Sequence, residues 1–256
     1  MSGRGEAFDL GRLPADIIWL DSTGSTNDYL KHLSSSRDTR VALSWNQTAG
    51  RGRMGREWIS PAGESLAVSI DLGDLVPDDV GDSWRGALPL LVAAELAHNT
   101  HSTLSVSARV KWPNDVLIDG KKVAGILGEL PEPGRVIIGI GINVWGAPEG
   151  LDGSPVTSLS AHGVSEKDRF EGLVENFLQS LLGRLKGIRR TVSPEDWDFV
   201  RTHLSTLGRK VRVVFPDGSE IRGAAEDIDS QGRLVATTGT RTEVISAGDI
   251  EHLRAL

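Results

Sequence analysis

The chain has no cysteine among its 256 residues. That excludes a disulfide framework, a thiolate zinc site and a thiol nucleophile. Long apolar runs are missing too: the stretch 87–97 is broken by Pro89 and Glu95 and falls far short of the ~20 residues that cross a bilayer as a helix. Positive charge is not in surplus, with 28 Lys and Arg against 35 Asp and Glu and a formal charge of −7. This argues against wholesale electrostatic capture of nucleic acid or anionic membrane, so any anion site must be local. The N-terminus carries Glu6, Asp9 and Asp16 without an apolar core, which does not read as a signal peptide. A cytoplasmic location is expected. The six histidines form no ligand cluster, and neither a Gly-x-Ser-x-Gly elbow nor the Walker phosphate-loop spacing occurs.

Glycine is the residue in excess, at 30 of 256 against a usual share of ~7%. The length suits one large domain, or a large one with a small one. Strands are expected at 17–20, at 41–45, where Val41, Leu43 and Trp45 alternate as in a half-buried strand, and at 66–70. A helix is expected from Thr26, carrying Tyr29, Leu30 and Leu33 inward. Another spans 84–98, with Pro89 tolerable in its first turn. Residues 47–60 have no period and read as a loop. Two hairpins follow, one turning at Asp119-Gly120 and one across 131–134. The expected fold class is therefore α+β with a mainly antiparallel sheet flanked by helices. Beyond a Gly/Pro/Ser stretch at 146–163, Phe170 to Leu185 keep the spacing of an amphipathic helix, with Ser165 and Asp168 as its opening cap. Ser193-Pro194 opens a further helix. Short strands and tight turns from 206 onward suggest a small β-barrel. The organisation read is a polar leader at 1–15, a main domain at 16–205 and a small domain at 206–256.

Four constellations carry chemistry. Residues 50–56 interleave three glycines with Arg51, Arg53 and Arg56; glycine admits a ligand to the backbone, and guanidinium groups bond carboxylate or phosphate oxygens. The same segment also reads as a solvated Arg/Gly loop. Lys111-Trp112-Pro113-Asn114-Asp115 must bend, and it presents amide and acidic oxygens beside a lysine, as Mg²⁺-bound polyphosphate requires, or else it is a capped turn around a core Trp. Lys122 stands in an otherwise apolar run through Gly125, either snorkelling or facing a buried anion. In 136–144, Gly139, Gly141 and Asn143 share one face of a strand. That bare face is a ligand wall or a place of close helix packing. Ser25, Thr26, Asn27 and Gln47 fit a neutral, urea-like head group or serve as a helix cap.

In this order, Ser-Thr-Asn, Gln-Thr-Ala-Gly-Arg-Gly-Arg, Lys-Trp-Pro-Asn-Asp, Lys-Val-Ala-Gly-Ile-Leu and Gly-Ile-Gly-Ile-Asn-Val resemble the biotin protein ligase family over nearly the whole chain. The resemblance implies a class II synthetase and lipoate-ligase-like domain followed by an SH3-like barrel. It implies an ATP-dependent biotin–[acetyl-CoA-carboxylase] ligase that forms biotinyl-5′-AMP, releases pyrophosphate and biotinylates a lysine of a carrier domain. That carrier would belong to an acyl-CoA or pyruvate carboxylase. Biotin would be held by Ser25, Thr26, Asn27, Gln47, Gly50, Arg51, Gly52, Arg53, Lys122 and Gly125. ATP would be held by Arg53, Arg56, Trp58, Lys111, Asn114 and Asn143, with Mg²⁺ reaching Asp115 through the phosphates. Arg51, Arg53 and Lys122 would be catalytic, and residues 50–58 would order over the ligand. The N-terminus leaves little room for the DNA-binding domain of the family's repressors, so no DNA or membrane partner is expected. A lipoate ligase on the same fold and a non-catalytic biotin or nucleotide sensor are the alternatives.

Overall fold

The computed structural model describes residues 6–59, 61–75, 83–148, 155–188, 192–215, 217–246 and 248–253. Its larger sheet is built from β1 (Asp16–Trp19), β2 (Arg40–Ser44), β5 (Ser65–Asp71), β6 (Arg109–Lys111), β7 (Asp115–Ile118), β8 (Lys121–Glu132) and β9 (Arg135–Asn143). The strands lie in the order β1-β2-β5-β9-β8-β7-β6. Only β1 and β2 run parallel in this sheet; the other neighbours are antiparallel. Asp119 and Gly120, at φ 50° and 74°, make the expected two-residue turn between β7 and β8. The next hairpin turns more tightly than expected, because β8 runs on through Pro131 to Glu132.

Helices cover both faces of this sheet. On one face lies α1 (Thr26–His32), started by Ser25, whose hydroxyl oxygen accepts the Asp28 N–H at 3.3 Å. Its Leu30 packs on Ala42 and Ile137. The other face packs against α2 (Ser83–Leu104), which in turn packs against α3 (Lys167–Gly187) and α4 (Pro194–His203). Strand β5 is consequently buried along its whole length, and β2 everywhere beyond Arg40. The half-buried strand expected at 41–45 is thus corrected: its alternation records two covered faces, and Trp45 lies past its end beside Phe170. Pro89 stands in the second turn of α2, not the first. Its ring lies against β8 at Gly128, where an added Cβ would come within 3.5 Å. In α3 all eight apolar residues are buried as expected, but the cap is Glu166 without a side-chain bond, in place of Ser165 and Asp168. Ser193 does cap α4, accepting the Asp196 N–H at 3.1 Å. The segment read as a polar leader is docked where described: Phe8, Leu10 and Leu13 enter the core, and Phe8 meets the Trp19 ring edge-on at 4.9 Å.

The C-terminal unit is a five-stranded antiparallel sheet of β10 (Lys210–Val214), β11 (Glu220–Ile228), β12 (Leu234–Thr238), β13 (Arg241–Ile245) and β14 (Asp249–His252). Its order is β13-β12-β11-β10-β14. Trp112, buried to 1% exposure, joins this unit to the large sheet. Its indole N–H donates to the Gly232 carbonyl at 2.9 Å and its backbone N–H to Thr206 Oγ1 at 3.0 Å. Thr206 Oγ1 in turn lies 3.1 Å from His252 Nε2. Burial, with the charges of Lys111 and Arg209, pushes the His252 imidazole down to about 4. The Trp112–Pro113 peptide is cis.

Candidate active site

A cavity of about 740 Å³ opens on the α1 face of the large sheet. Three strands build its wall in register: Ser69 pairs with Gly139 and Gly139 with Leu127, while Ala67 pairs with Gly141 and Gly141 with Gly125. Small residues are required here by what lies on them. A Cβ on Gly139 would sit 2.4 Å from Asn27 Oδ1, and one on Gly141 would sit 2.3 Å from Cε2 of the Trp58 indole. The bare face is therefore a cavity wall and also a seat for two of the chain's own site residues.

Residues 47–60, expected to be an aperiodic loop, contain a small hairpin. Gly50–Arg51 (β3) pairs with Glu57–Trp58 (β4) around a single 3₁₀ turn at Arg53–Gly55. Two-residue strands are too short to leave a period-2 signal. Gly50 allows the ladder to close, since a Cβ there would meet Gln47 Nε2 at 2.5 Å and the Trp58 carbonyl oxygen at 2.6 Å. Met54 and Gly55 take φ 56° and 75° at the apex.

The three arginines part company on this hairpin. Arg51 binds Asp28 and lies 3.5 Å from Glu129, a tie that uses its charge at the rim. Arg56 meets Asp249 of β14 at 2.7 Å. Arg53 is half-buried, the least exposed of the three: desolvation lowers its pKa, while the charges of Asp249 and Asp115 pull it back up. Lys122 Nζ is 2.6 Å from Asp115 Oδ1, at ion-pair distance without an aligned hydrogen bond, and 5.4 Å from the centre of a Trp58 ring. The Trp58 indole N–H is buried and has no acceptor among the described residues.

Every residue singled out for the site lines this cavity except Gly50, which shapes the hairpin from behind. Within that set the roles divide. Asn143 is committed to the protein, accepting from Ser65 at 3.3 Å and donating to the Thr157 carbonyl at 3.1 Å. Asn114 locks its turn by donating to the Ile126 carbonyl at 2.8 Å. Sequence reasoning missed Ala67 in the cavity wall and, outside the lining, Ser69 and Glu129, which bond to Asn27. It also missed the far wall, supplied by Arg212 and Val214 of β10 and by Asp249 to Glu251 of β14. Glu129 was detectable by parity, being a charge on the same strand face as Gly125; the far wall left no local signal. For a metal, no cluster of three His, Asp or Glu occurs among the described residues. Asp115 shares the cavity lining with Glu57, Asp249 and Glu251, and its Oδ1 lies beside Lys122.

The cavity gathers hydroxyl, amide and cationic groups as a ligand-binding site would, and comparison names the class. Residues 19–143 match the biotin/lipoate A/B protein ligase family and 206–253 the biotin protein ligase C-terminal domain. A biotin–[acetyl-CoA-carboxylase] ligase of Mycobacterium tuberculosis is 40% identical over 91% of this chain and 87% of its own length. The Paracoccus denitrificans ligase of that name is 31% identical over 90% and 98%. Among solved structures, a biotin protein ligase from Aquifex aeolicus in complex with biotin and ATP superposes with a TM-score of 0.75 at 25% identity. That match covers 94% of this chain and 99% of the other. The chain belongs to the biotin protein ligase family.

Proposed function

We propose that the chain joins biotin to ATP as biotinyl-5′-adenylate and then passes the biotin to a lysine of a carboxylase carrier domain. The observation that carries this reading is the polarity of one cavity. Hydroxyl and amide groups of Ser25, Thr26 and Gln47 lie at the α1 end, and Arg53, Lys111 and Lys122 bring cations to the same space. A neutral urea suits the first set; a carboxylate beside a triphosphate suits the second.

The biotin carboxylate is itself the nucleophile, so no Ser, Cys or His is needed. Its oxygen attacks the α-phosphorus, the bond to the β-phosphate oxygen breaks, and pyrophosphate leaves. Repulsion between two anions is the main obstacle, and Arg53 and Lys122 offset it while stabilising charge on the α-phosphate. Magnesium held at Asp115 would neutralise the polyphosphate further. In the second step the lysine amine attacks the acyl carbon and AMP departs. Trp58, Gly52 and the Arg51-anchored hairpin shield the anhydride from water until then. Residues 50–58 tighten over the ligand in this scheme.

The partner is the biotin carboxyl carrier domain of an acetyl-CoA carboxylase, as the relatives' names suggest, and by the same chemistry that of a pyruvate carboxylase. The acidic chain acts in the cytoplasm without DNA or a membrane; no helix among the described residues is long and apolar enough to cross one. Residues 16–205 serve as the ligase unit and 206–256 as the small domain, after a polar leader at 1–15. Incubation with ATP, Mg²⁺, biotin and a purified carrier domain, followed by intact mass measurement, is expected to add one biotinyl group at one lysine. An unmodified carrier would contradict the transfer step.

A further inference from the structure

A hydroxyl carries one proton, and that count fixes the direction of the hydrogen bonds beneath α1. Glu129 receives Asn27 Nδ2 at 2.6 Å on one oxygen and Lys31 Nζ at 2.6 Å on the other, with Arg51 3.5 Å from the second. A carboxylate among these cations only accepts. Asn27 must therefore turn its NH₂ to Glu129 and its Oδ1 to Ser69, which it contacts. A carbonyl oxygen only accepts as well, so the Ser69 proton goes to Asn27. The Ser69 oxygen then receives the Thr26 hydroxyl proton across 2.7 Å. Gln47 Oε1 takes the Thr26 backbone N–H at 2.9 Å and lies 3.2 Å from Thr26 Oγ1, but the closer contact of the two hydroxyl oxygens needs a proton between them, and with that of Ser69 spent on Asn27 it is the one on Thr26. Thr26 Oγ1 is left with lone pairs and no proton to give.

From this we infer that Glu129 and Ser69 are positioning residues that set the polarity of the head-group end of the cavity, making Thr26 an acceptor. Its neighbours are donors. Gln47 has its oxygen occupied and keeps its NH₂; Ser25 accepts from Asp28 N–H and keeps its O–H. One acceptor beside two donors matches a ring N–H next to a carbonyl, as in a cyclic urea, an inference that rests on the biotin reading. Neither Glu129 nor Ser69 lines the cavity. They act through Asn27 and Thr26.

Glu129→Gln reverses the chain. The amide oxygen stays with Lys31 and Arg51, its NH₂ faces Asn27, Asn27 flips, Ser69 donates to Thr26, and Thr26 becomes a donor. Ser69→Ala removes the middle link and serves as an independent variant. The test measures ATP–pyrophosphate exchange by the full chain with biotin and with the two cyclic carbamates in which one or the other ring N–H is an ether oxygen. Wild type is expected to reject one carbamate relative to its isomer by about a hundredfold in kcat/KM, because oxygen then faces oxygen. In Glu129→Gln and Ser69→Ala that preference is expected to shrink about tenfold or more, with kcat on biotin and KM for ATP little changed. An unaltered preference, with KM raised equally for all three ligands, would overturn the inference and leave the ligase reading standing. Absence of biotin-stimulated exchange in wild type would overturn both.

Discussion

Arg53 and Arg51 stand two positions apart in one glycine-rich run, yet they answer to different carboxylates. Arg51 is held at the rim by Asp28 and Glu129, whereas half-buried Arg53 feels the charges of Asp249 and Asp115. Arg53→Ala is therefore expected to slow adenylate formation by ~3 kcal/mol, the scale of one lost transition-state donor. Single-turnover measurement of adenylate at saturating biotin and ATP checks this, and a wild-type rate would remove Arg53 from the chemistry. The residue types of the site were legible in the sequence, because arginine among glycines and lysine in an apolar run are conspicuous. Which arginine does what was not, since the deciding partners lie about 20, 60, 80 and 200 positions away and charge pairing at that range leaves no local pattern. The same holds for Asn27 and Asn143. Both were read as polar groups for a ligand, and both spend their amides on the protein.

Among the elements, β9 was the most readable. Alternation of isoleucine with glycine put its apolar side on α2 and its bare side on the cavity, and the register with β5 and β8 extends that bareness across three strands. Gly141→Val tests the wall. Valine favours a strand, so the fold is expected to survive, but its side chain occupies the place of the Trp58 indole. Biotin affinity should fall by at least about 2 kcal/mol, the scale of overpacking a tight site, with the unfolding temperature nearly unchanged. Titration calorimetry beside thermal unfolding separates the two effects; equal binding by the variant would mean that the indole and the wall are not part of the site. The hairpin at 50–58 was least readable. It is held by single-residue fits at Gly50 and by side chains anchored at either end, none of which makes a period.

At the scale of the molecule, the two units share the cavity and are stitched by Trp112, Thr206 and His252 on one side and by Arg56 with Asp249 on the other. A small β-unit was expected beyond 206 and five strands lie between Lys210 and His252, but nothing local said that β10 and β14 close the site. The stitch is pH-sensitive. His252 is held neutral with its pKa pushed from 6.5 to about 4, so between those values the unfolded chain binds a proton that the folded one refuses. Stability from this group is complete above pH 6.5 and is lost as pH falls toward 4, on the order of 2 kcal/mol after allowance for its partial exposure. Thermal unfolding from pH 7 to 4 should show a steeper fall for wild type than for His252→Gln; parallel curves would mean that the imidazole is not desolvated in the folded chain.

All three scales meet in one demand: the cavity must bring a neutral urea ring to α1 while its carboxylate meets a triphosphate at Arg53 and Lys122. Exchange of labelled pyrophosphate into ATP, measured with biotin, with lipoate and with neither, tests that demand directly. Exchange stimulated by biotin alone, and lost in Arg53→Ala, is the expected result. Stimulation by lipoate, or exchange that ignores both acids, would contradict it.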